Sequence, residues 1–175
     1  MFKTAAATVR AKNYELPIKH KRKFGVRAVK TLHTEIGIGA PAPVVWEVIG
    51  DLDGWAQWNP VMKASGVLAP GERINVTLGA PGGKAVSFDP VVVALEEGRE
   101  FRWRTRKLLG MLDLEHGFRV VPEDTGRCRF EQFEVFRGIL GGRVYSRQSK
   151  ALDTGFQVMN RMLKREAETR ARERA

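Results

Sequence analysis

The sequence is poor in the residues that form disulfides and metal sites. Cys128 is the only cysteine in 175 residues, so no disulfide can form within the chain. Only three histidines are present, and they do not cluster at metal-ligand spacing. We therefore expect a reducing compartment and a fold that uses neither a metal nor another cofactor.

Long apolar runs are also missing. No segment approaches the roughly 18 apolar residues of a membrane span, although 43% of the residues are hydrophobic. A chain of this length and composition can bury a sizeable core, and it has no internal repeat. These features predict one soluble domain, which we expect in the cytoplasm.

Acidic residues are nearly absent from the first 30 positions. Residues 1–30 carry nine Lys and Arg against Glu15 alone, which leaves 21 basic and 19 acidic residues elsewhere. The net charge of +10 therefore reflects an N-terminal basic arm, and we expect no specific nucleic-acid partner. Pro17, Gly25 and the lack of a sustained apolar face predict that the arm is flexible.

Three roles for this arm stay open. It is a flexible tail without further function, a peptide for organelle import, or a surface for weak contact with an acidic partner or a membrane surface. The absence of serine and the excess of Lys over Arg weaken the import interpretation. A secretory signal is not indicated, because no apolar stretch follows the first basic residues.

From Thr31 the pattern becomes that of an α+β domain. Period-two alternation predicts a first strand that ends at Gly39. Two prolines then mark the start of a short helix that ends near Gly50, and residues 54–58 can form another turn or two. Extended segments follow at about 61–69, 72–79, 84–96, 100–108, 112–121 and 127–136. Their short connections predict an antiparallel meander.

The C-terminal part has one long helical pattern after residue 142. Its apolar stripe consists of Leu152, Phe156, Met159 and Leu163. Only the sheet offers an apolar surface large enough to cover this stripe, so we predict a curved antiparallel sheet wrapped around a long C-terminal helix. The domain spans residues 31–170, and the charged residues at the end, 171–175 above all, are predicted to fray as a tail.

Several stretches in this order resemble the START-like, or SRPBCC, superfamily, which includes Bet v 1-like proteins and polyketide cyclase/dehydratase relatives. They are VWEVIGDLDGWAQWNPV after the first strand, FRW at 101–103, EHGF at 115–118, FEQFEVFRGIL at 130–140 and GFQVMNRMLKREAE at 155–168. The resemblance covers roughly residues 31–168. It implies the helix-grip fold, with two short helices after the first strand, and a lipophilic molecule held between sheet and helix.

Polar residues interrupt the apolar face of the last predicted hairpin. Two strand registers keep His116, Gln132 and Glu134 on one face among large apolar side chains: one sets His116 opposite Glu134, and the other sets His116 opposite Gln132. On a face turned to the helix, each polar atom costs about 1–3 kcal/mol unless it is paired.

Three interpretations of this face stay open. A hydrogen bond from the histidine to the carboxylate fixes the hairpin, the three residues orient a ligand in a lipophilic pocket, or the face is exposed to solvent. A basic row at Arg102, Arg104 and Arg106 points the other way. It fits a solvated strand face or a contact for an anion or a partner.

We expect the protein to bind a small lipophilic ligand between sheet and helix. One alternative is a cyclase/dehydratase-like enzyme in which His116 is the general acid or base and Glu134 holds its tautomer. Another is an interaction protein that acts through the basic arm. The oligomeric state stays open. The candidate ligand-binding residues are Trp58, Trp103, His116, Phe118, Gln132, Glu134, Leu152, Phe156, Met159, Asn160 and Leu163.

Overall fold

The structure is a computed structural model and describes residues 29–79 and 84–175. The expectations for the basic arm lie almost wholly outside the described residues. In chain order the elements are β1 Lys30–Ile38, α1 Ala42–Gly50, α2 Trp55–Trp58, β2 Met62–Ser65, β3 Asn75–Leu78, β4 Val86–Phe88, β5 Val91–Glu96, β6 Glu100–Lys107, a 3-10 turn Leu108–Gly110, β7 Leu112–Pro122, β8 Cys128–Arg137 and α3 Gly141–Glu173.

The strands form two antiparallel sheets. The larger has the order β1-β8-β7-β6-β5, so its last four strands are a meander and β1 closes the edge beside β8; the smaller has the order β2-β3-β4. The predicted antiparallel meander is confirmed. In the β7–β8 hairpin His116 lies opposite Glu134 and Phe118 lies opposite Gln132, which decides between the two registers.

The predicted strand over residues 84–96 is corrected to two strands. Asp89 and Pro90 separate β4 from β5, because proline has no N–H for a strand ladder. The carbonyl of Pro90 accepts a hydrogen bond from Ile74 N at 3.1 Å, and the chain passes there from the small sheet to the large one. Strands β2 and β3 are also shorter than predicted, since the chain turns at Gly66, whose φ is +118°.

Helix α3 is 33 residues long and packs on the sheet as predicted. It buries Phe156, Met159, Leu163 and Ala167, at spacings of three and four residues that form one face. The helix contacts β1, β8 and α1. Among the described residues no helix is both long and apolar enough to cross a bilayer.

The prediction that the charged C-terminus frays is wrong. Helix α3 continues to Glu173, because its charges pair along the helix and with the rest of the domain. Glu168 accepts a hydrogen bond from Gly39 N at 2.8 Å, and Arg174 forms an ion pair with Glu47 at 2.7 Å. Ala167 is fully buried among these charges, so the last turns are part of the domain.

The core is richest in aromatic residues below α1 and α2. Trp55, Phe101, Trp103 and Phe118 contact one another, with ring centroids 4.8–5.9 Å apart for the contacting pairs. Trp55 is completely buried, and its Nε1 donates a hydrogen bond to the carbonyl of Ile49 at 3.0 Å. The indole thus fixes α2 against α1 at the centre of the core.

The other face of the large sheet carries ion pairs. Glu115 is 2% exposed and accepts hydrogen bonds from Arg102, Arg104 and Arg137. Burial would raise the pKa of Glu115, but the hydrogen bond from Arg104 and the charges of the three arginines hold it below its usual value. The basic row is therefore not a bare solvated face. Its charges are largely matched by acids on the neighbouring strand, a pairing that a single strand's sequence does not reveal.

Candidate functional site

Five polar side chains meet between the sheet and α3. They come from β1, β7, β8 and α3, and each is 9% exposed or less. The register explains their meeting, because Thr34 lies opposite Gln132 and His116 lies opposite Glu134, so all the strand residues point to the helix. We call this group the polar cluster; its members are Thr34, His116, Gln132, Glu134 and Asn160.

His116 is neutral and pairs with an amide. Gln132 Nε2 lies 2.9 Å from His116 Nε2 and 3.6 Å from Met159 Sδ, so the amide donates to both and the imidazole proton is on Nδ1. Burial lowers the pKa of His116 to about 3. The ring stacks on Phe118 with centroids 4.4 Å apart.

The hydrogen bond that one of the three interpretations placed between His116 and a carboxylate is absent from the described part of the chain. The two residues lie opposite each other in the sheet, yet the histidine bonds diagonally to Gln132. The interpretation in which Glu134 holds the tautomer is wrong for the same reason. Gln132 performs that role.

Glu134 is a carboxyl group in apolar surroundings. It is 9% exposed and has no hydrogen bond or ion pair with any described residue. Burial raises the pKa of Glu134 to about 7, so the group is largely protonated below neutral pH. A protonated carboxyl presents one O–H donor as well as acceptor oxygens.

Asn160 links the helix to the edge strand. Its Nδ2 donates to Thr34 Oγ1 at 3.0 Å, which supports a structural role for the amide group. Its Oδ1 and the Oε1 of Gln132 are both buried and have no partner among residues 29–79 and 84–175. Two buried acceptors without a partner thus lie in the same cluster as the His116 ring and the Glu134 carboxyl.

Apolar side chains surround the polar cluster. Trp103, Phe118, Phe156, Met159 and Leu163 are buried, and the Phe156 ring lies 4.8 Å from the His116 ring. Leu152 is only half-buried and packs with Leu114, Val144 and Tyr145 around Phe136. This side of the cluster is the less tightly covered one.

Trp58 does not join this arrangement. Its ring contact is with Trp55, at 6.0 Å between centroids, and none of its ring contacts is with His116. Trp58 therefore belongs to the aromatic core under α2, and the other ten predicted side chains lie along the sheet–helix interface.

A second titratable group lies on the outer face of the sheet. His33, Glu35 and Glu131 are close enough to share one cation. However, Arg119 and Arg129 already bind the two oxygens of Glu131, each at 3.2 Å. The hydrogen bond from His33 and these arginine charges lower the pKa of Glu131 to about 2, so ion pairing accounts for the cluster.

The fold and the inward polar groups can now be compared with known proteins. The chain belongs to the family described as polyketide cyclase / dehydrase and lipid transport. The family's sequence pattern matches residues 30–168. This confirms the SRPBCC resemblance. No protein with curated functional information matches the chain in sequence.

Several solved structures share the helix-grip fold of this chain. The Zhui aromatase/cyclase of a Streptomyces species superposes with a TM-score of 0.64 at 18% identity, covering 82% of this chain and 96% of that one. A START superfamily protein of Mycobacterium smegmatis gives 0.55 at 13% identity, covering 83% and 99%. The di-domain ARO/CYC BexL gives 0.64 at 15% identity. The match covers 79% of this chain but 46% of BexL, so the chain corresponds to about half of that protein.

Sequence reasoning missed one member of the polar cluster. Thr34 counted only as a strand residue, although its parity with Leu32 and Ile36 already placed it on the inner face.

Proposed function

We propose that the protein binds a small, uncharged, lipophilic molecule that carries hydroxyl and carbonyl groups, between the large sheet and α3. The observation that supports this is the set of unpaired polar atoms on an otherwise apolar face. Gln132 Oε1 and Asn160 Oδ1 are acceptors, and the His116 Nδ1–H and the protonated Glu134 are donors. Such a set complements a ligand that both donates and accepts hydrogen bonds.

The charge state of the cluster restricts the ligand. His116 stays neutral because burial lowers its pKa to about 3, so it offers no positive charge to an anion. Glu134, with a pKa of about 7, is largely neutral only below pH 7, so below neutral pH it offers little attraction to a cation. A hydroxylated aromatic or polyketide-like molecule fits these conditions, in keeping with the family and with an aromatase/cyclase among its similar structures.

Binding is tested with a matched pair of probes, a dihydroxyanthraquinone and anthracene, which share a three-ring skeleton and differ in polar groups. Trp103, one of four tryptophans, lies 5.3 Å from the His116 ring, so a ligand at the site should quench the tryptophan fluorescence of the protein. We expect Glu134→Leu to weaken the dihydroxyanthraquinone about tenfold, the effect of one lost hydrogen bond, without weakening anthracene. Glu35→Gln, on the exposed outer face, is the control.

Equal affinity of wild type and Glu134→Leu for the dihydroxyanthraquinone would contradict the proposal. Native mass spectrometry of the purified chain, followed by denaturing extraction, gives an independent check. A hydroxylated lipophile in the extract supports the proposal. A charged ligand that leaves when Glu134 or Gln132 is replaced would overturn it.

A second candidate is a cyclase-type activity in which Glu134, rather than His116, transfers the proton. The supporting observation is the pKa of Glu134 near 7, which suits an acid–base group at neutral pH, whereas the low pKa of His116 makes it a weak base. With a synthetic poly-β-ketone as substrate, the rate should show a limb near pH 7 that disappears in Glu134→Gln. A limb that persists in this variant excludes the role.

A further inference from the structure

Exposed apolar side chains gather at one end of the domain. Of the large apolar side chains that are exposed in the described ranges, half lie in the β6–β7 and β8–α3 connections. The two connections are joined by a hydrogen bond from Leu140 N to Met111 O at 3.0 Å. We call the exposed group the apolar tip; it consists of Leu108, Leu109, Met111 and Ile139, with exposed fractions of 59%, 107%, 40% and 49%.

The backbone holds this tip outward. Leu108 and Leu109 both have φ near +52°, a left-handed conformation that leucine rarely adopts. Gly138 has φ +85°, and a Cβ there would come within 2.3 Å of Met111 O, so only glycine allows the close approach of the two connections. The loop is therefore a defined structure that presents leucine to solvent at a conformational cost.

Unpaired positive charges lie on the two elements that adjoin the tip, at the end of β6 and in the first turns of α3. No acidic residue occurs between Glu100 and Asp113 or between Glu134 and Asp153. Four exposed cations in these stretches form no ion pair within the part of the chain that the structure describes. We call them the basic collar; they are Lys107, Arg143, Arg147 and Lys150.

We propose that the apolar tip docks on an anionic lipid bilayer, with the tip side chains in the headgroup–acyl boundary and the basic collar on lipid phosphates and carboxylates. Apolar residues flanked by cations are the pattern that favours such an interface, because hydrophobic and electrostatic attraction then act on the same surface. Among the described residues, the four collar cations lack the matched acids that Glu115 and Asp113 provide on the outer face of the sheet.

The apolar tip and the polar cluster lie along the same strand, so docking of the tip orients the sheet–helix interface relative to the bilayer. Leu112 and Leu114, both half-buried, lie on β7 between the tip and His116. Four strand residues lie between Met111 and His116, so five rises along the strand separate them by about 17 Å. Docking therefore turns the less tightly covered side of the polar cluster toward the bilayer. The proposal itself rests on the tip and collar and stands whether or not the cluster binds a ligand.

Insertion of the tip is measured with a fluorophore. Cys128 is buried and burial raises its pKa to about 11, so a cysteine introduced by Leu109→Cys reacts selectively with a polarity-sensitive label. The matched control is Val67→Cys, which is 66% exposed in a different connection. On vesicles of phosphatidylcholine with one-third phosphatidylserine, we expect a blue shift at position 109 and none at position 67.

Binding itself is measured by vesicle co-sedimentation of the full chain. Leu109→Asp should lower binding at least tenfold, since aspartate tolerates the left-handed backbone but not the apolar boundary, and Val67→Asp should not. Arg143→Glu with Arg147→Glu should lower it more than tenfold, at about fivefold for each charge removed. Arg161→Glu with Arg165→Glu, exposed and unpaired further along α3, is the control pair.

Three results would overturn the proposal. In the first, the chain binds vesicles while the label at position 109 stays in water, which assigns binding to the basic arm. In the second, Leu109→Asp binds vesicles as well as wild type. In the third, only the oligomeric state responds to Leu109→Asp, which makes the tip a protein contact. The affinity of Leu109→Asp for dihydroxyanthraquinone in vesicle-free buffer should equal that of wild type. A failure of the membrane proposal can therefore be told apart from a failure of the ligand proposal.

Discussion

The two ends of the sheet–helix interface are packed differently. At the tight end, around Trp55, Phe101 and Leu163, the large apolar side chains are essentially inaccessible. At the loose end, around Leu114, Tyr145 and Leu152, they are half-buried, and the apolar tip beyond them is exposed. The polar cluster lies between the two. The same fold thus supplies stability at one end and an accessible apolar surface at the other.

Sequence composition explains part of this difference. The tight end receives the tryptophans and valines of α1 and α2, which cover that half of the sheet. No corresponding elements cover the loose end, where only the first turns of α3 and two connections close the interface. The proposed ligand would therefore reach the polar cluster at lower cost from the loose end, since fewer buried contacts have to open there.

The largest predicted effect is the difference in stability cost between alanine substitutions at two leucines of α3. Leu163→Ala removes a fully buried side chain at the tight end, so we expect it to lower the free energy of unfolding by about 3 kcal/mol or more. Leu152→Ala at the loose end should cost less, about 1 kcal/mol, because the side chain is only partly buried. Urea denaturation of both variants measures the difference. Equal costs would show that the ends are packed alike.

The second prediction concerns the pH dependence of the free energy of unfolding that the polar cluster produces. Between pH 4.5 and 6.5 the unfolded chain protonates His116 while the folded chain does not, so stability falls as pH falls. In the same range the folded chain keeps the Glu134 proton while the unfolded chain loses it, so stability falls as pH rises. The two contributions nearly cancel, and other carboxyls with lowered pKa values act mainly below pH 4.5.

Glu134→Gln should therefore expose the histidine contribution. Acidification from pH 6.5 to 4.5 should favour unfolding of this variant by a factor of about ten per pH unit, or about 2–3 kcal/mol in all, relative to wild type. Chemical denaturation at several pH values measures it, and Glu35→Gln is the control. Parallel pH curves for wild type and Glu134→Gln would contradict the burial of the pair.

The sequence predicts the tight end better than the loose end. Period-two and helical spacing identify β1, the β7–β8 hairpin and the stripe of α3, because these patterns follow directly from burial on one face. The even register of the hairpin also follows, since an odd register would set acidic residues against each other or against aromatic ones. The choice of His116 opposite Glu134 needed the structure, because the turn length alone leaves two even registers.

The partners of the polar cluster were beyond sequence reasoning for a different reason. Gln132 reaches His116 diagonally and Asn160 reaches Thr34 from another element, and such contacts depend on how strands and helix cross in space. The continuation of α3 to Glu173 was missed because a charged segment has no apolar stripe. Its support comes from Gly39 and Glu47, which are distant in sequence.

The smallest change in stability is expected at the apolar tip. It tests most directly whether the exposed side chains of the loose end contribute to stability or only to an external contact. Leu109 is fully exposed, so Leu109→Asp should change the free energy of unfolding by less than about 0.5 kcal/mol, and relief of the left-handed leucine should make the change stabilising if it is detectable. Thermal and urea denaturation in vesicle-free buffer measure this. A loss above about 1 kcal/mol would mean that Leu109 packs against the domain in solution. A neutral result combined with lost vesicle binding would mean that the leucine serves the contact alone.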